Sequence, residues 1–482
     1  MQLKTIFRLL GLLLMMFSFS MLTPLLFNFI FHEQFWIPFL AAFTCTFGIG
    51  AFFSFLFRHE NHELKIRDGF LIVVLFWFVV CFFASLPFVF ALKGHPITDS
   101  IFEAVSGFTT TGASIITHLD GLPNALLFYR QQLQFLGGMG IVVLAVAILP
   151  MLGVGGMQLY KAETPGPLKE SKLTPRIAQT AKALWSIYVL LTLLCMLCYW
   201  ATGMDWFDAL GESFATVSTG GFSMHDASFA YYHSEGIELI ACFFMLLGGT
   251  NFALHFIAFR KKTLCHYWQD EEFRYYIAFL IAATLIITLS LVMYGFFRAS
   301  HHTLIKSLFN VISLATTTGF LSEPFGYWPT FVPLLIILLA LIGGCAASTS
   351  GGIKVIRALL LFKQSKREMA RLVHPNAVFT IKFGKHALSE SILQSMWGFI
   401  SVFIALFWAL VIVFMALGND FTTSFSAIIA TLANAGAGIG AISSNFAALN
   451  LPSKWVLIFA MLAGRLEIFS LLVLFSRNFW EK

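Results

Sequence analysis

Ten apolar runs, near 6–31, 35–57, 69–92, 124–152, 179–202, 236–259, 275–297, 329–361, 393–417 and 453–477, constrain this chain more than any other feature. Each is long enough to cross a hydrocarbon core roughly 30 Å thick at about 1.5 Å per residue. Of the 482 residues 58% are apolar and only 11% charged. A soluble domain carries roughly 25% charged residues, so this surface could not be kept in water. The fold class is therefore an all-α polytopic membrane protein. A signal peptide does not explain the first run, because Leu9–Phe31 is too long and no small-residue cleavage site follows it. The seven cysteines give no secreted disulfide framework, and Cys195 and Cys198 inside a span read most simply as small apolar residues.

Charge placement orients the chain. Of 30 Lys and Arg, five (Lys93, Arg130, Arg298, Lys306, Lys454) fall at or near one face and two (Lys354, Arg465) at membrane depth. The remaining 23 fall on the face carrying both termini, which the positive-inside rule makes cytoplasmic. The net charge of +6 is thus a topology signal rather than a nucleic-acid footprint.

After the first two runs the rest pair up, and between the members of each pair lies a stretch too short to cross. These stretches read SIFEAVSGFTTTG to Gly112, DALGESFATVSTG to Gly220, SLFNVISLATTTG to Gly319 and SFSAIIATLANAG to Gly436. Twelve positions before each glycine stands Ser100, Asp208, Ser307 or Ser424, all good N-caps. The spacing predicts four capped half-helices, each running into a glycine turn. The chain then divides into an N-terminal two-helix segment (1–66) and four pore repeats (67–175, 176–270, 271–390 and 391–482). Non-helical backbone at membrane depth survives only inside protein or beside a watery cavity, so four such segments about one axis make a pore.

The glycines permit backbone angles that a side chain forbids. Carbonyls in the return segments can replace the hydration shell of a monovalent cation, and the helix C-termini add their negative dipole ends. The expected lining is Thr109–Thr111, Val217–Thr219, Thr316–Thr318 and Ala433–Ala435. Candidate ion-binding residues are Thr110, Thr111 and Gly112; Ser218, Thr219 and Gly220; Thr317, Thr318 and Gly319; and Asn434, Ala435 and Gly436. No carboxylate stands among them, which favours potassium over a divalent ion.

The run 329–361 is interrupted by GGCAASTSGG (343–352), too rich in glycine and small residues to hold a helix. It lacks the phosphate-binding G-x-x-x-x-G-K-[ST] pattern. It is either a small-residue packing patch or a flexible loop beneath the filter, with Gly343, Gly344, Ser348, Thr349, Gly351 and Gly352 as its candidate gate residues. Arg465 lies mid-span, where a charge costs roughly 2.5–3.5 kcal/mol unless it faces water or a partner. It either faces the pore and meets that loop or pairs with a carboxylate elsewhere. Lys354 poses the same question at the loop's end. Glu103 and Glu212, inside half-helices, are expected to brace the return segments by hydrogen bonds. His118, His225 and His255 show no convergent metal spacing.

The stretches TTTGAS (109–114), VSTGGFS (217–223), ATTTGF (315–320), GGCAASTSGGIKVIR (343–357) and GRLEIF (464–469) resemble the Trk/Ktr/HKT superfamily of potassium transporters, most closely its bacterial Trk branch. The resemblance covers the whole chain. It implies potassium as the transported substrate, a one-layer glycine filter, gating by the 343–352 loop and the arginine, and a multi-pass protein of the bacterial inner membrane. It also implies a homodimer with two pores, embedded in membrane lipid, and a TrkA-type cytosolic ring that binds NAD or ATP while this chain binds no nucleotide. Ala437, where relatives often carry proline, is a departure at the fourth filter segment. Two rivals are a proton- or sodium-coupled symporter, which needs a titratable or sodium-specific site on the path, and a membrane-embedded enzyme, for which no convergent nucleophile, base or metal set is present.

Overall fold

The computed structural model describes residues 2–60, 66–92, 94–138, 177–377, 379–384, 386–388 and 390–480. The second half of the expected span 124–152 and several loop cations (Lys65, Lys93, Lys161, Lys169, Lys172, Arg176, Lys385, Lys482) lie outside them. The described chain is helical apart from one two-stranded antiparallel hairpin, β1 (Lys382–Phe383) with β2 (His386–Ala387). Helices α1 (Leu3–Ser18) and α2 (Pro24–Ile30) turn back against α3 (Ile37–Leu56). Gly11 and Gly50 let α1 and α3 touch: a Cβ on Gly11 would stand 2.6 Å from the Gly50 carbonyl oxygen. Next come α4 (Ile66–Ala84) and α5 (Leu86–Ala91), then half-helix α6 (Ile97–Phe108) and α7 (Asn124–Gly138).

The same order recurs. Helix α8 (Ile177–Ala201) precedes half-helix α9 (Trp206–Val217), followed by α10 (Glu235–Gly248), α11 (Phe252–Lys261) and the short α12 (Cys265–Gln269). Helix α13 (Glu271–Met293) precedes half-helix α14 (His301–Ala315), then α15 (Val332–Ile342) and α16 (Val355–Val373). Helix α17 (Glu390–Ala416) precedes half-helix α18 (Phe421–Leu432), then α19 (Leu451–Arg465), α20 (Phe469–Leu472) and α21 (Arg477–Trp480). Among the described residues six helices are long and apolar enough to cross a membrane, and two bent pairs add further candidates. The half-helices are buried along most of their length, whereas the outer helices expose Leu, Ile, Phe and Trp as a lipid-facing protein must.

Two expectations need correction. The half-helices start earlier than twelve residues before the glycine. Their N-caps are Asp205, Ser300 and Asp420, whose side chains accept from Phe207, Thr303 and Thr423 N–H groups, while the first follows Pro96 without a side-chain cap. Ser307 and Ser424 instead lie inside their helices, bonding back to the Thr303 and Asp420 carbonyls. Ser100 and Asp208 are also intrahelical. Second, the last three of the runs after the filters are not straight spans. Residues 235–261 bend by 96° at Gly249–Asn251, and 451–475 bend by 103° after Arg465. The first break is driven by Asn251, whose side chain caps α11 at Ala253 N–H. The second has no glycine or proline: Glu467 and Ile468 are forced to φ 52° and 50°, and Glu467 turns to Arg357 at 2.8 Å. The third run likewise ends at Ile342 and restarts at Val355, leaving the loop between.

Candidate ion-conduction site

Each half-helix ends with the same backbone device. The N–H groups of Thr111, Gly220, Thr318 and Ala435 bond to the carbonyls of Ser106, Ala215, Ser313 and Ala430, each at 2.8 Å. One residue earlier, Thr110, Thr219, Thr317 and Asn434 bond to Gly107, Thr216, Leu314 and Thr431. This pair of bonds is the Schellman helix ending, which needs a left-handed residue at its centre. Those residues do have φ of 53°, 51°, 57° and 54°. Glycine or asparagine normally fills that place, and a β-branched residue there is strained. Three of the four are threonine, so the strain is held by the surroundings, and the surroundings include the loop beneath.

The device fixes a register that sequence alignment on T-G missed by one residue in the second segment. The positive-φ glycines are Gly112, Gly221, Gly319 and Gly436, at 81°, 81°, 86° and 68°. Gly220 is the counterpart of Thr111, Thr318 and Ala435, so the stretch that corresponds to Thr109–Thr111 is Ser218–Gly220 rather than Val217–Thr219. The four glycines close a ring. A Cβ on Gly112 would stand 2.2 Å from the Gly220 oxygen, on Gly221 1.8 Å from that of Thr318, on Gly319 2.0 Å from that of Ala435, and on Gly436 2.2 Å from that of Thr111. Each segment therefore meets the next, and the fourth meets the first. A cavity of about 520 Å³ opens on this ring; all four glycines line it, with Ser114, His118, Asp226, Ser444 and Asn445 farther out.

Behind the ring, side chains tie each return segment to its half-helix. Glu103 accepts from Ile115 N–H at 2.9 Å and Ser114 Oγ at 3.0 Å, and Glu212 from Met224 N–H at 2.8 Å and Ser223 Oγ at 2.6 Å. Asn310 takes the third place, donating to Ser322 Oγ at 3.2 Å, and in the fourth Ser426 Oγ accepts from Ile439 N–H at 2.7 Å. Arg130 pairs with Glu103 at 2.8 Å and also donates to the Ser223 carbonyl, joining segments one and two. Gln134 grips the second segment twice, donating to the Gly220 carbonyl at 2.6 Å and accepting from Phe222 N–H at 3.1 Å. Asn434 joins the fourth segment to the first through Thr111 Oγ1 at 2.9 Å. Buried pairs Lys306–Glu238 (2.6 Å) and Lys454–Asp99 (2.8 Å) tie neighbouring repeats farther out. Sequence reasoning missed Gly221, Gln134 and these pairs; amides inside an apolar helix, at Gln131, Gln132 and Gln134, were the available signal.

The interrupted run lies under the ring. Thr349 Oγ1 is 3.1 Å from the Val217 carbonyl, 3.0 Å from that of Gly248 and 3.2 Å from Thr219 Oγ1. Gly351 N–H donates to Thr317 Oγ1 at 2.6 Å, and a Cβ on Gly351 would stand 2.0 Å from the Ala433 oxygen. Two loop residues, Thr349 and Gly351, thus touch the ends of the second, third and fourth half-helices. Gly343 and Gly352 have φ of 73° and 75° and close the loop's neck, where a Cβ on Gly343 would meet the Gly351 oxygen. Gly344 packs on Ser350, and Ser348 Oγ donates to the Cys345 carbonyl. Arg465 donates to the Thr349 carbonyl at 3.1 Å and to the Gly137 and Gly138 carbonyls at 2.5 and 2.8 Å, bridging the loop to the first repeat. Lys354 donates to the Ser350 carbonyl.

The histidines do not converge. His255 is buried between Tyr267 and the Leu247 carbonyl, His118 lines the outer cavity, and His225 sits between Asp120 and Asp208. Among the described residues no group of His, Cys, Asp or Glu could hold a metal, and Cys195 and Cys198 are unpaired.

Comparison with known proteins gives a consistent picture. The family profile described as TrkH, cation transport protein, matches residues 37–482. The chain is 50% identical to the Trk system potassium uptake protein TrkH of Halomonas elongata and 50% to that of Escherichia coli K12, each over the full length of both chains. It is 38% identical to Escherichia coli TrkG over 98% of this chain and 97% of that one. Its structure matches the crystal structure of the potassium transporter TrkH from Vibrio parahaemolyticus with a TM-score of 0.91 at 46% identity, over the whole of both chains.

Proposed function

This chain belongs to the TrkH family of cation transport proteins, and from that premise we propose that it is a potassium uptake protein whose conducting path crosses the four-glycine ring. The single observation that carries the reading is the closed contact cycle of Gly112, Gly221, Gly319 and Gly436, each against the carbonyl of the next segment. Such a ring offers backbone oxygens from four sides to one dehydrated ion. The left-handed residues and the Glu103, Glu212, Asn310 and Ser426 braces hold those oxygens in place, so little rearrangement is needed as an ion arrives. The half-helix C-termini add negative potential at the same level.

Uptake needs no coupling ion. A membrane potential, inside negative, is worth about 2.3 kcal/mol per charge per 100 mV, enough for roughly fifty-fold accumulation through a passive pore. The loop at 343–354 is the gate: Thr349–Gly351 occupy the space under the ring, and Arg465 adds a positive charge there while latching the loop to α7. Opening moves the loop aside and breaks the Arg465 contacts. Both termini are cytoplasmic in the bacterial inner membrane, two copies form a dimer with separate pores, and a TrkA-type cytosolic ring supplies the nucleotide response. The positive-inside distribution supports the orientation.

Flux through the purified protein in vesicles, with potassium as the only gradient, tests the reading. Rapid potassium flux without proton or sodium movement is the expected result. Potassium flux that stops unless protons or sodium are supplied would replace it with a coupled symporter.

A further inference from the structure

One buried carboxylate lies outside both the ring and the Arg465 contacts yet reaches the loop from its two ends. Glu272, the second residue of α13, is 3% exposed. A single oxygen, Oε1, accepts the Ala346 N–H at 2.7 Å and the Ile356 N–H at 3.2 Å. Ala346 stands just after the loop's neck and Ile356 just after its end, with Thr349–Gly351 between them. Other anchors of these shoulders include backbone contacts, Cys345 N–H to the Gly249 carbonyl at 2.8 Å, Val355 N–H to that of Gly344 at 3.0 Å, and Ile353 and Lys354 N–H to those of Leu341 and Ile342, each at 2.8 Å. The helix end that carries Glu272 is itself fixed. Asp270 caps it at Phe273 N–H, and Glu271 binds Lys363 of α16 and the Gly384 N–H of the hairpin.

We propose that Glu272 is the positioning residue of the 343–354 loop: its carboxylate staples the two shoulders together and thereby holds Thr349–Gly351 under the ring. The proposal rests on the reading of that loop as the gate, and goes beyond it by assigning what keeps the gate in its blocking position. Two N–H groups at the same oxygen act as one hinge pin. Without it both are left buried and unpaired, a state the loop escapes by leaving its seat.

The test uses the full-length protein in vesicles, with two readouts on each variant. One is potassium flux; the other is labelling of Cys345, 1% exposed beside Ala346, by a thiol reagent, read at the peptide level by mass spectrometry. Glu272→Ala removes the shared acceptor of two buried N–H groups and should raise both readouts by at least about tenfold, the change that goes with losing even one ordinary hydrogen bond. Glu272→Gln keeps an acceptor oxygen in the same place and should behave as the parent in both. Glu272→Asp, one methylene shorter, should label at an intermediate rate, and it carries the test if the alanine variant does not fold. Faster Cys345 labelling with unchanged flux would uphold the staple and remove the gate reading. Parent-like labelling in Glu272→Ala or Glu272→Asp, or a glutamine variant that behaves like alanine, would overturn the proposal.

Discussion

Alanine at Gly221 is the most informative single perturbation of the ring. The residue has φ +81°, where a side chain costs about 1–2 kcal/mol. The new Cβ would stand 1.8 Å from the Thr318 carbonyl oxygen. An ordinary carbon–oxygen contact needs about 3.3 Å, so the second or third segment must retreat by about 1.5 Å. The four oxygens can then no longer close equally on one ion. A tenfold fall in potassium-over-sodium preference corresponds to only about 1.4 kcal/mol, less than this strain can supply, so at least that loss is expected. Gly220→Ala is the contrast. Its Cβ meets the Gln134 side-chain amide at 2.5–2.9 Å, a group able to shift, and its φ is not left-handed. Gly48→Ala, with nothing within 4 Å, is the neutral control. The assay is tracer uptake into vesicles under competing potassium and sodium. An equal or larger loss of preference in Gly220→Ala than in Gly221→Ala would refute the register and the argument built on it.

Other expected outcomes follow from the surrounding contacts. Arg465→Ala removes the bridge between Thr349 and the Gly137–Gly138 carbonyls, so basal potassium flux should rise by about tenfold with ion preference unchanged; altered preference would place Arg465 in the filter rather than the gate. Arg130→Ala strands the buried Glu103 carboxylate and should cost about 3–5 kcal/mol, read as a lower thermal midpoint, part of which Glu103→Gln in the same chain should restore. His225 is subject to burial, which opposes its charge, but the hydrogen bonds it donates to Asp208 and Asp120 outweigh burial and raise its pKa from 6.5 to about 9. Its stabilisation is therefore complete below pH 6.5 and lost as pH rises through about 9. Thermal midpoints of the parent should fall across that window more steeply than those of His225→Gln, and parallel curves would refute the assignment.

The half-helices were legible because a run too short to cross the membrane ended four times in small polar or apolar residues and glycine, three times with threonine before the glycine, a composition with few other uses at that depth. Register in the second segment was not, because Gly220 and Gly221 are adjacent and alignment took the first. The signal that separates them was present: Glu103 and Glu212 stand at the same offset only if Gly221 matches Gly112. The N-caps were visible as Asp205, Ser300 and Asp420, but counting back from the glycine placed them inside the helices. The break at Gly249–Asn251 carries its own cue in a capping asparagine. The break after Arg465 has no local cue, since Glu467 and Ile468 take positive φ for tertiary reasons, among them the Arg357 pair. Glu272 reads as an ordinary first-turn acid, and only the fold brings Ala346 and Ile356 to it.

A crystallographic anomalous-difference map of the protein grown with thallium or rubidium in place of potassium addresses the ring directly. A single strong peak enclosed by Gly112, Gly221, Gly319 and Gly436, within coordination distance of backbone oxygens from all four segments, is the predicted result. Peaks bound by one segment alone, or an empty ring with density elsewhere along the path, would contradict the account.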